Sequence, residues 1–364
     1  MSVENIETIN ADGTASFDVN KARLISKRRR ISLPQWANAW IVLIPAMIFL
    51  VLFMFYPILN TFLMAFIQDF DFGRGAGSFA LGNFFSSLGS ATKVHQTFGF
   101  ENFKLVLEDD VFPRTIWNTF VLVIIEVPLT IIIALLIATF LNSIKALKGL
   151  FQTIFFLPYV TNSIALGLVF TMLFSSGEGG IVNILLNRLF GMQPVNWLKT
   201  FGADGAPATR YSQLVVIVTS AVWNGIAFKI LVFLSGLATI DKQYYDAAKI
   251  DGSSNFTIWR RITLPLLSPQ ILYITITSFI GAFKMYTGVM SVYSSISGSM
   301  NASYYFGGEK GEEWMPIVGW IYRILGTQTN TSKGVAAAGS LILLGIILLI
   351  TVVQFGVSKK RVHY

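Results

Sequence analysis

The chain has 364 residues, of which 54% are hydrophobic and only 13% charged, with a formal net charge of +8 and no cysteine. Soluble globular proteins carry roughly 25% charged residues, so a mean hydropathy of +0.63 makes lipid the main solvent. The missing cysteines exclude a disulfide framework, a thiol nucleophile and a thiolate metal site, and the basic residues flank apolar runs instead of forming the solvated basic face that nucleic acid requires.

Residues 1–35 are too long and too acidic for a signal peptide and read as a cytoplasmic tail. No charge occurs between Arg30 and Asp69, and the core of that run, 36–66, exceeds the roughly 20 residues needed to cross hydrocarbon. Five further runs follow at 116–141, 149–174, 211–240, 264–292 and 335–357. Pro128, Pro158 and Pro269 interrupt some of them, which membrane helices tolerate when neighbours satisfy the freed carbonyls. The expectation is an all-α polytopic membrane protein of about six transmembrane helices. Segments 67–115, 175–210 and 293–334 connect them on one side, and 241–263 and the tail 358–364 lie on the other.

Basic residues near the spans resist translocation. With the N-terminus inside, the inner segments hold 15 Lys and Arg, at 21, 23, 27–30, 145, 148, 242, 249, 260, 261 and 359–361. The outer segments hold 10, spread through much longer loops, so both termini are expected in the cytoplasm. The Gly-, Ser- and Asn-rich outer stretches 73–89 and 294–308 are either docking surfaces or solvated connectors.

One inner connection stands apart. Asp241 to Thr263 is long, charged and followed by Leu264-Pro265 and the fifth run. Gln243–Ile250 is helix-compatible, with Tyr244, Ala247, Ala248 and Ile250 on an apolar face and Asp246 and Lys249 off it. Gly252 can take the left-handed turn that ends such a helix. Ser253, Ser254 or Asn255 can cap a second helix from Phe256 to Ile262. The pair of helices is either a knob that enters a groove on another protein or an amphipathic element lying on the headgroups.

Charges inside hydrocarbon seldom face lipid. Glu126 and Lys229 fall within roughly 10–12 Å of each other in depth at 1.5 Å per residue, so an intramembrane ion pair is expected. Lys284 has no equivalent partner; it binds an anionic or hydroxyl-bearing group, or snorkels to the outer headgroups. Aromatic and amide or hydroxyl side chains near mid-span, Tyr159, Asn162, Trp223, Asn224, Phe228, Ser278 and Tyr286, are of the types that line polar-ligand sites, or else simply pack.

Several chemistries lack their motifs. No G-x-x-x-x-G-K-[ST] phosphate loop occurs, so the chain is not expected to be its own ATPase. His95 and His363 fall on opposite sides of the membrane in this topology, which leaves no histidine metal site and no Ser/His/Asp catalysis. Asp109-Asp110 and Glu312-Glu313 have no catalytic context, and no catalytic residue is expected. Asn301-Ala302-Ser303 is a formal glycosylation acceptor in an outer loop.

The stretch Asp246-Ala247-Ala248-Lys249-Ile250-Asp251-Gly252, then Phe256, Ile262, Leu264 and Pro265, resembles the EAA signature of the permease subunits of binding-protein-dependent ABC importers. Asp246 stands where the family usually has Glu, and Ser253 where it usually has Ala. Gly99-Phe100-Glu101-Asn102-Phe103, Leu157-Pro158-Tyr159, Trp223-Asn224-Gly225, Leu234-Ser235-Gly236-Leu237 and Gly334-Val335-Ala336-Ala337-Ala338 are similar to the maltose- and glycerol-3-phosphate-type, carbohydrate-uptake branch. The likeness runs from about residue 98 onward.

This resemblance implies an ABC importer permease fold in a bacterial cytoplasmic membrane. Asp246, Ala247, Ala248, Asp251, Gly252 and Phe256 would form the coupling helix, seated on a cytoplasmic ATPase. The implied partners are a second homologous permease in a heterodimer, two ATPase subunits carrying ATP and Mg, and an extracytoplasmic binding protein. No cofactor would be bound by this chain. The substrate pathway would include Tyr159, Asn162, Asn224, Gly225, Phe228, Ser278, Lys284 and Tyr286, whereas Ala282 and Met285 lack the amides of the maltose-type relative. The alternative is an ion-coupled secondary transporter using Glu126 and Lys229.

Overall fold

The computed structural model describes residues 7–9, 15–17, 34–67, 98–144, 148–177, 179–198, 208–297, 314–327 and 332–358. The basic stretch 21–30, the outer segments 73–89 and 298–308, the Asn301 acceptor, both histidines and residues 359–361 lie outside them.

Two units divide the chain, Met1–Leu59 and Asn60–Tyr364. In the first, β1 (Glu7–Ile9) pairs antiparallel with β2 (Ala15–Phe17), Glu7 opposite Phe17. Helix α1 (Gln35–Leu50) is followed by a π turn over Val51–Phe55. α2 (Tyr56–Phe66) contains the boundary between the units. The apolar helical stretch Ala39–Phe66 has a mean hydropathy of 2.6 in its most apolar window, none of whose residues is buried, while Ala65 near its end is buried. A helix apolar on all sides belongs in lipid or against another protein.

The second unit is helical in its described residues. After α3 (Glu101–Glu108) comes α4 (Phe112–Ser143), whose first amides are held by Asp109: Val111 and Phe112 N–H donate to its Oδ1 at 2.8 and 2.9 Å. Next are α5 (Lys148–Val160), α6 (Ser163–Leu173), α7 (Ile181–Phe190) and α8 (Arg210–Thr239). Thr209 and Ser212 form a reciprocal capping box at the start of α8. The chain continues through α9 (Lys242–Ile250), α10 (Asn255–Ile258), a π turn (Trp259–Thr263), α11 (Leu264–Leu266), α12 (Ser268–Phe283) and α13 (Thr287–Ser297). The last two are α14 (Ile317–Gly326) and α15 (Ser332–Ser358).

Among the described residues, four helices are long and apolar enough to cross a membrane: Ala39–Phe66, Phe112–Ser143, Arg210–Thr239 and Ser332–Ser358. A fifth candidate is the pair Asn255–Leu266 and Ser268–Phe283, bent by 65°. Two runs that read as single spans are each broken. The run 149–174 is two helices because Asn162 turns extended, at φ −61° and ψ 130°, and its side chain accepts the Ile164 N–H at 2.8 Å, restarting the helix. The run 264–292 bends near Leu267, where Pro269 at the start of α12 has no N–H to offer. It breaks again at Lys284–Tyr286.

The core follows α4. Ala134, Ala138 and Leu141 pack with Ile226, Ile230 and Phe233 of α8 and with Leu267 and Ile274. Toward the start of α4, Phe112 meets Trp320 edge-on at 4.8 Å, and Phe120 meets Phe283 edge-on at 5.2 Å.

The segment between α6 and α8 is organised by one buried amide. Asn183 Nδ2 donates to Gly177 O at 2.9 Å and Val195 O at 3.0 Å, while its Oδ1 accepts from Trp197 Nε1 at 2.8 Å and Val195 N at 3.2 Å. An unsatisfied buried polar group costs about 1–3 kcal/mol. Asn183→Ala is therefore expected to destabilise this segment by about 2–4 kcal/mol, read as lost hydrogen-exchange protection of the Val195 amide. Unchanged protection would refute the role.

Candidate functional site

Helix periodicity builds one wall of a cavity twice over. Ala221, Asn224, Gly225, Phe228 and Lys229 on α8 follow i, i+3, i+4, i+7, i+8, and so do Ile274, Thr277, Ser278, Gly281 and Ala282 on α12. Residues at those spacings share a helix face, and both faces line a cavity of ≈ 650 Å³. Glu126 of α4, Tyr159 and Ser163 from the broken α5–α6 pair, Lys284 to Gly288 at the α12–α13 break, and Val318 and Tyr322 of α14 complete it.

The break at Lys284–Tyr286 thus opens onto the cavity, and Tyr159 and Ser163, on either side of the break at Asn162, reach it too. Irregular backbone at membrane depth is tolerated where it lines a watery space, and the unwound stretch places Lys284, Met285 and Tyr286 in sequence along the wall. Aromatic rings supply flat surfaces: Tyr286 and Tyr322 stack with centroids 4.2 Å apart and planes 13° apart, and Tyr159 lies over Phe228 at 6.1 Å.

Of the residues expected along a pathway, Tyr159, Asn224, Gly225, Phe228, Ser278, Lys284 and Tyr286 line this cavity together. Asn162 does not, because its side-chain oxygen is spent on capping α6. Trp223, one step off the α8 stripe, lines a separate apolar hollow. Sequence reasoning missed Ser163, Thr277, Thr287 and Tyr322; the first three follow from the periodicity once the helix starts are known, whereas Tyr322 sits in a helix inside what read as a loop.

Glu126 and Lys229 are both buried, 7% and 8% exposed. No Glu126 oxygen comes within 4 Å of the Lys229 ammonium, so the two residues of the expected ion pair are not in direct contact, although each lies within the other's electrostatic reach. Lys229 Nζ donates instead to the Gly225 carbonyl one turn back, at 3.2 Å. Glu126 Oε2 is sealed from solvent without a hydrogen-bond partner.

A second feature lies in Asp241–Thr263. Asp241 caps α9, accepting the Gln243 N–H at 3.1 Å. The expected left-handed turn is present, with Gly252 at φ +72°, and Gly252 N–H and Ser253 N–H return to Lys249 O and Ala248 O, each at 3.0 Å. Ser254 is the residue that caps the next helix, accepting the Thr257 N–H at 3.2 Å. Tyr245 Oη meets Thr263 Oγ1 at 3.3 Å, and Trp259 Nε1 donates to Thr139 Oγ1 of α4 at 3.3 Å. The knob is therefore braced, yet its apolar residues are uncovered: Ile250 is 87% exposed and Phe256 67%.

A polytopic helical protein with a polar-lined cavity between its apolar helices, and a braced apolar knob outside them, is built for transport. Residues 126–363 match the family described as binding-protein-dependent transport system inner membrane component, and the chain belongs to that family. It is a multi-pass membrane permease component of an ABC importer, and nothing supports the ion-coupled alternative. It is 27% identical to the lactose transport system permease protein LacF of Rhizobium radiobacter over 89% of this chain and 95% of that one. To the arabinooligosaccharides transport system permease protein AraP of Bacillus subtilis it is 27% identical over 86% of each. Identity to the sn-glycerol-3-phosphate transport system permease protein UgpA of Agrobacterium fabrum is 24% over 92% of this chain and 99% of that one. Among solved structures, it resembles a chain of a bacterial ABC transporter that imports the acidic polysaccharide alginate, with a TM-score of 0.63, 20% identity and coverage of 93% and 99%. A complex of the alginate transporter with its periplasmic protein gives 0.64.

Proposed function

We propose that this chain is one of two homologous permease subunits that carry a sugar or oligosaccharide inward through the ≈ 650 Å³ cavity. The cavity carries the reading. Hydroxyl, amide and aromatic groups from six helices, α5, α6, α8, α12, α13 and α14, converge on it, and the relatives are named for lactose, arabinooligosaccharides and glycerol phosphate. An extracytoplasmic binding protein delivers the substrate, and ATP and Mg act on two separate ATPase subunits in the cytoplasm. Both chain termini and the segment 241–263 face that side. The Asp246–Gly252 helix and Phe256 insert into an ATPase cleft, a role supported by the uncovered Ile250 and Phe256. ATPase closure then biases a two-state equilibrium of the spans.

Co-purification tests the assembly. The detergent-solubilised chain is expected to bring a phosphate-loop ATPase with it, whose activity rises when sugar-loaded binding protein is added. A chain that purifies without any ATPase, yet still moves sugar in liposomes, would overturn the proposal.

A further inference from the structure

The geometry points to Glu126 and Lys229 as a specificity-determining pair that grips two adjacent hydroxyls of the transported saccharide, rather than as a structural ion pair. This rests on the sugar reading above. Two buried charges whose purpose is to hold α4 against α8 gain most by closing on each other, since an isolated buried charge is costly. Here they stand more than 4 Å apart, within electrostatic reach but not in contact. Among the described residues, Lys229 Nζ has only the Gly225 carbonyl as hydrogen-bond partner, at 3.2 Å, and Glu126 Oε2 has none. Both residues lie on the cavity wall.

Gly225 leaves the way to them open. A Cβ built there would stand 3.0 Å from Lys229 Nζ, 3.5 Å from Thr130 Cγ2 and 3.8 Å from Glu126 Oε1. The missing side chain is therefore a window from the cavity to an ammonium, which only donates, and to the Oε1 oxygen of a carboxylate, which only accepts, Oε2 lying sealed behind it. A vicinal diol matches the pair, one hydroxyl donating to Glu126 and its neighbour accepting from Lys229. Charge-assisted hydrogen bonds of this kind are about twice as strong as neutral ones.

The test uses the whole importer in proteoliposomes with lactose, arabinotriose and an alginate trisaccharide, each bearing vicinal hydroxyls. For whichever the parent imports, Glu126→Gln and Lys229→Gln are expected to raise the uptake KM roughly 10-fold, the effect of losing one charged hydrogen bond. The double variant E126Q/K229Q is expected to be at least as impaired as either single one, whereas a merely self-neutralising pair would recover once both charges are gone. Gly225→Ala, which keeps both charges and pushes the ammonium aside, is expected to raise KM by roughly 3-fold, part of one such bond. Recovery of the parent KM in E126Q/K229Q, or unchanged KM in Gly225→Ala, would overturn the pair as a hydroxyl subsite. Failure of the parent importer to move any of the three sugars would instead overturn the sugar reading on which it rests.

Discussion

Ala247→Trp is expected to abolish the stimulation of ATP hydrolysis by loaded binding protein and to cut uptake by roughly 5- to 150-fold, the span of typical coupling free energies. The residue is exposed on α9, so the added ring meets nothing within this chain. Its effect must come from an outside surface that α9 enters. Gly252 gives a graded companion series. Its φ of +72° costs an L-residue about 1–2 kcal/mol, so Gly252→Ala is expected to impair uptake modestly. Gly252→Pro adds a ring locked near φ −65° and deletes the N–H that donates to Lys249 O at 3.0 Å, so α9 can no longer end where it does. The expected order of residual uptake is therefore Ala, then Pro, with the cavity untouched in both. Uptake by Ala247→Trp at the parent rate would refute the coupling role outright.

The readable part of this fold was whatever a local pattern encodes. Apolar runs bounded by charge correspond to helices such as Phe112–Ser143 and Ser332–Ser358, and a glycine after an alanine-rich amphipathic stretch corresponds to the left-handed end of α9. Helix breaks were not readable, because apolar composition continues through them. Thr161-Asn162 and Lys284 to Tyr286 sit inside hydrophobic runs, and only the extended backbone of Asn162 and the end of α12 at Phe283 reveal them. The contact state of Glu126 and Lys229 was equally hidden. Depth along two helices follows from residue count, but their rotation about their axes is set by packing of Ala134 and Ala138 against Ile226 and Ile230. Several motif glycines acquire a reason only in three dimensions. At Gly236 a Cβ would come 2.9 Å from Leu267 Cδ2 and Gln270 Cγ, so glycine lets α12 approach α8.

Asn102→Asp is expected to damage this protein more than Asn102→Ala, although aspartate is the closer match in shape. Asn102 is 1% exposed, and its Nδ2 donates to Ile67 O at 2.8 Å, Ala65 O at 3.1 Å and Met64 O at 3.4 Å. Met64 and Ala65 contribute two of the last carbonyls of α2, where helical partners run out, and Ile67 follows directly; Met64 O also accepts the Ile67 N–H at 3.3 Å. Three converging acceptors fix which end of the amide faces them, since the Oδ1 end would be repelled. Alanine removes this donor from the Ala65 and Ile67 carbonyls, at about 1–3 kcal/mol for each lost partner, while Met64 O keeps the Ile67 N–H. Aspartate does that and also sets an anion against three carbonyl oxygens. Gly334, at the start of α15, closes the same joint: a Cβ there would come 2.6 Å from Asn102 Nδ2, so Gly334→Val is expected to destabilise by prising the amide off α2. The two motif stretches around residues 99–103 and 334–338 are therefore one clasp, holding the end of α2 and the start of α15 to α3. Thermal unfolding of the solubilised protein should rank parent, Asn102→Ala and Asn102→Asp in falling order of Tm. An aspartate variant at least as stable as the alanine one would mean that the amide does not serve as the donor to those carbonyls.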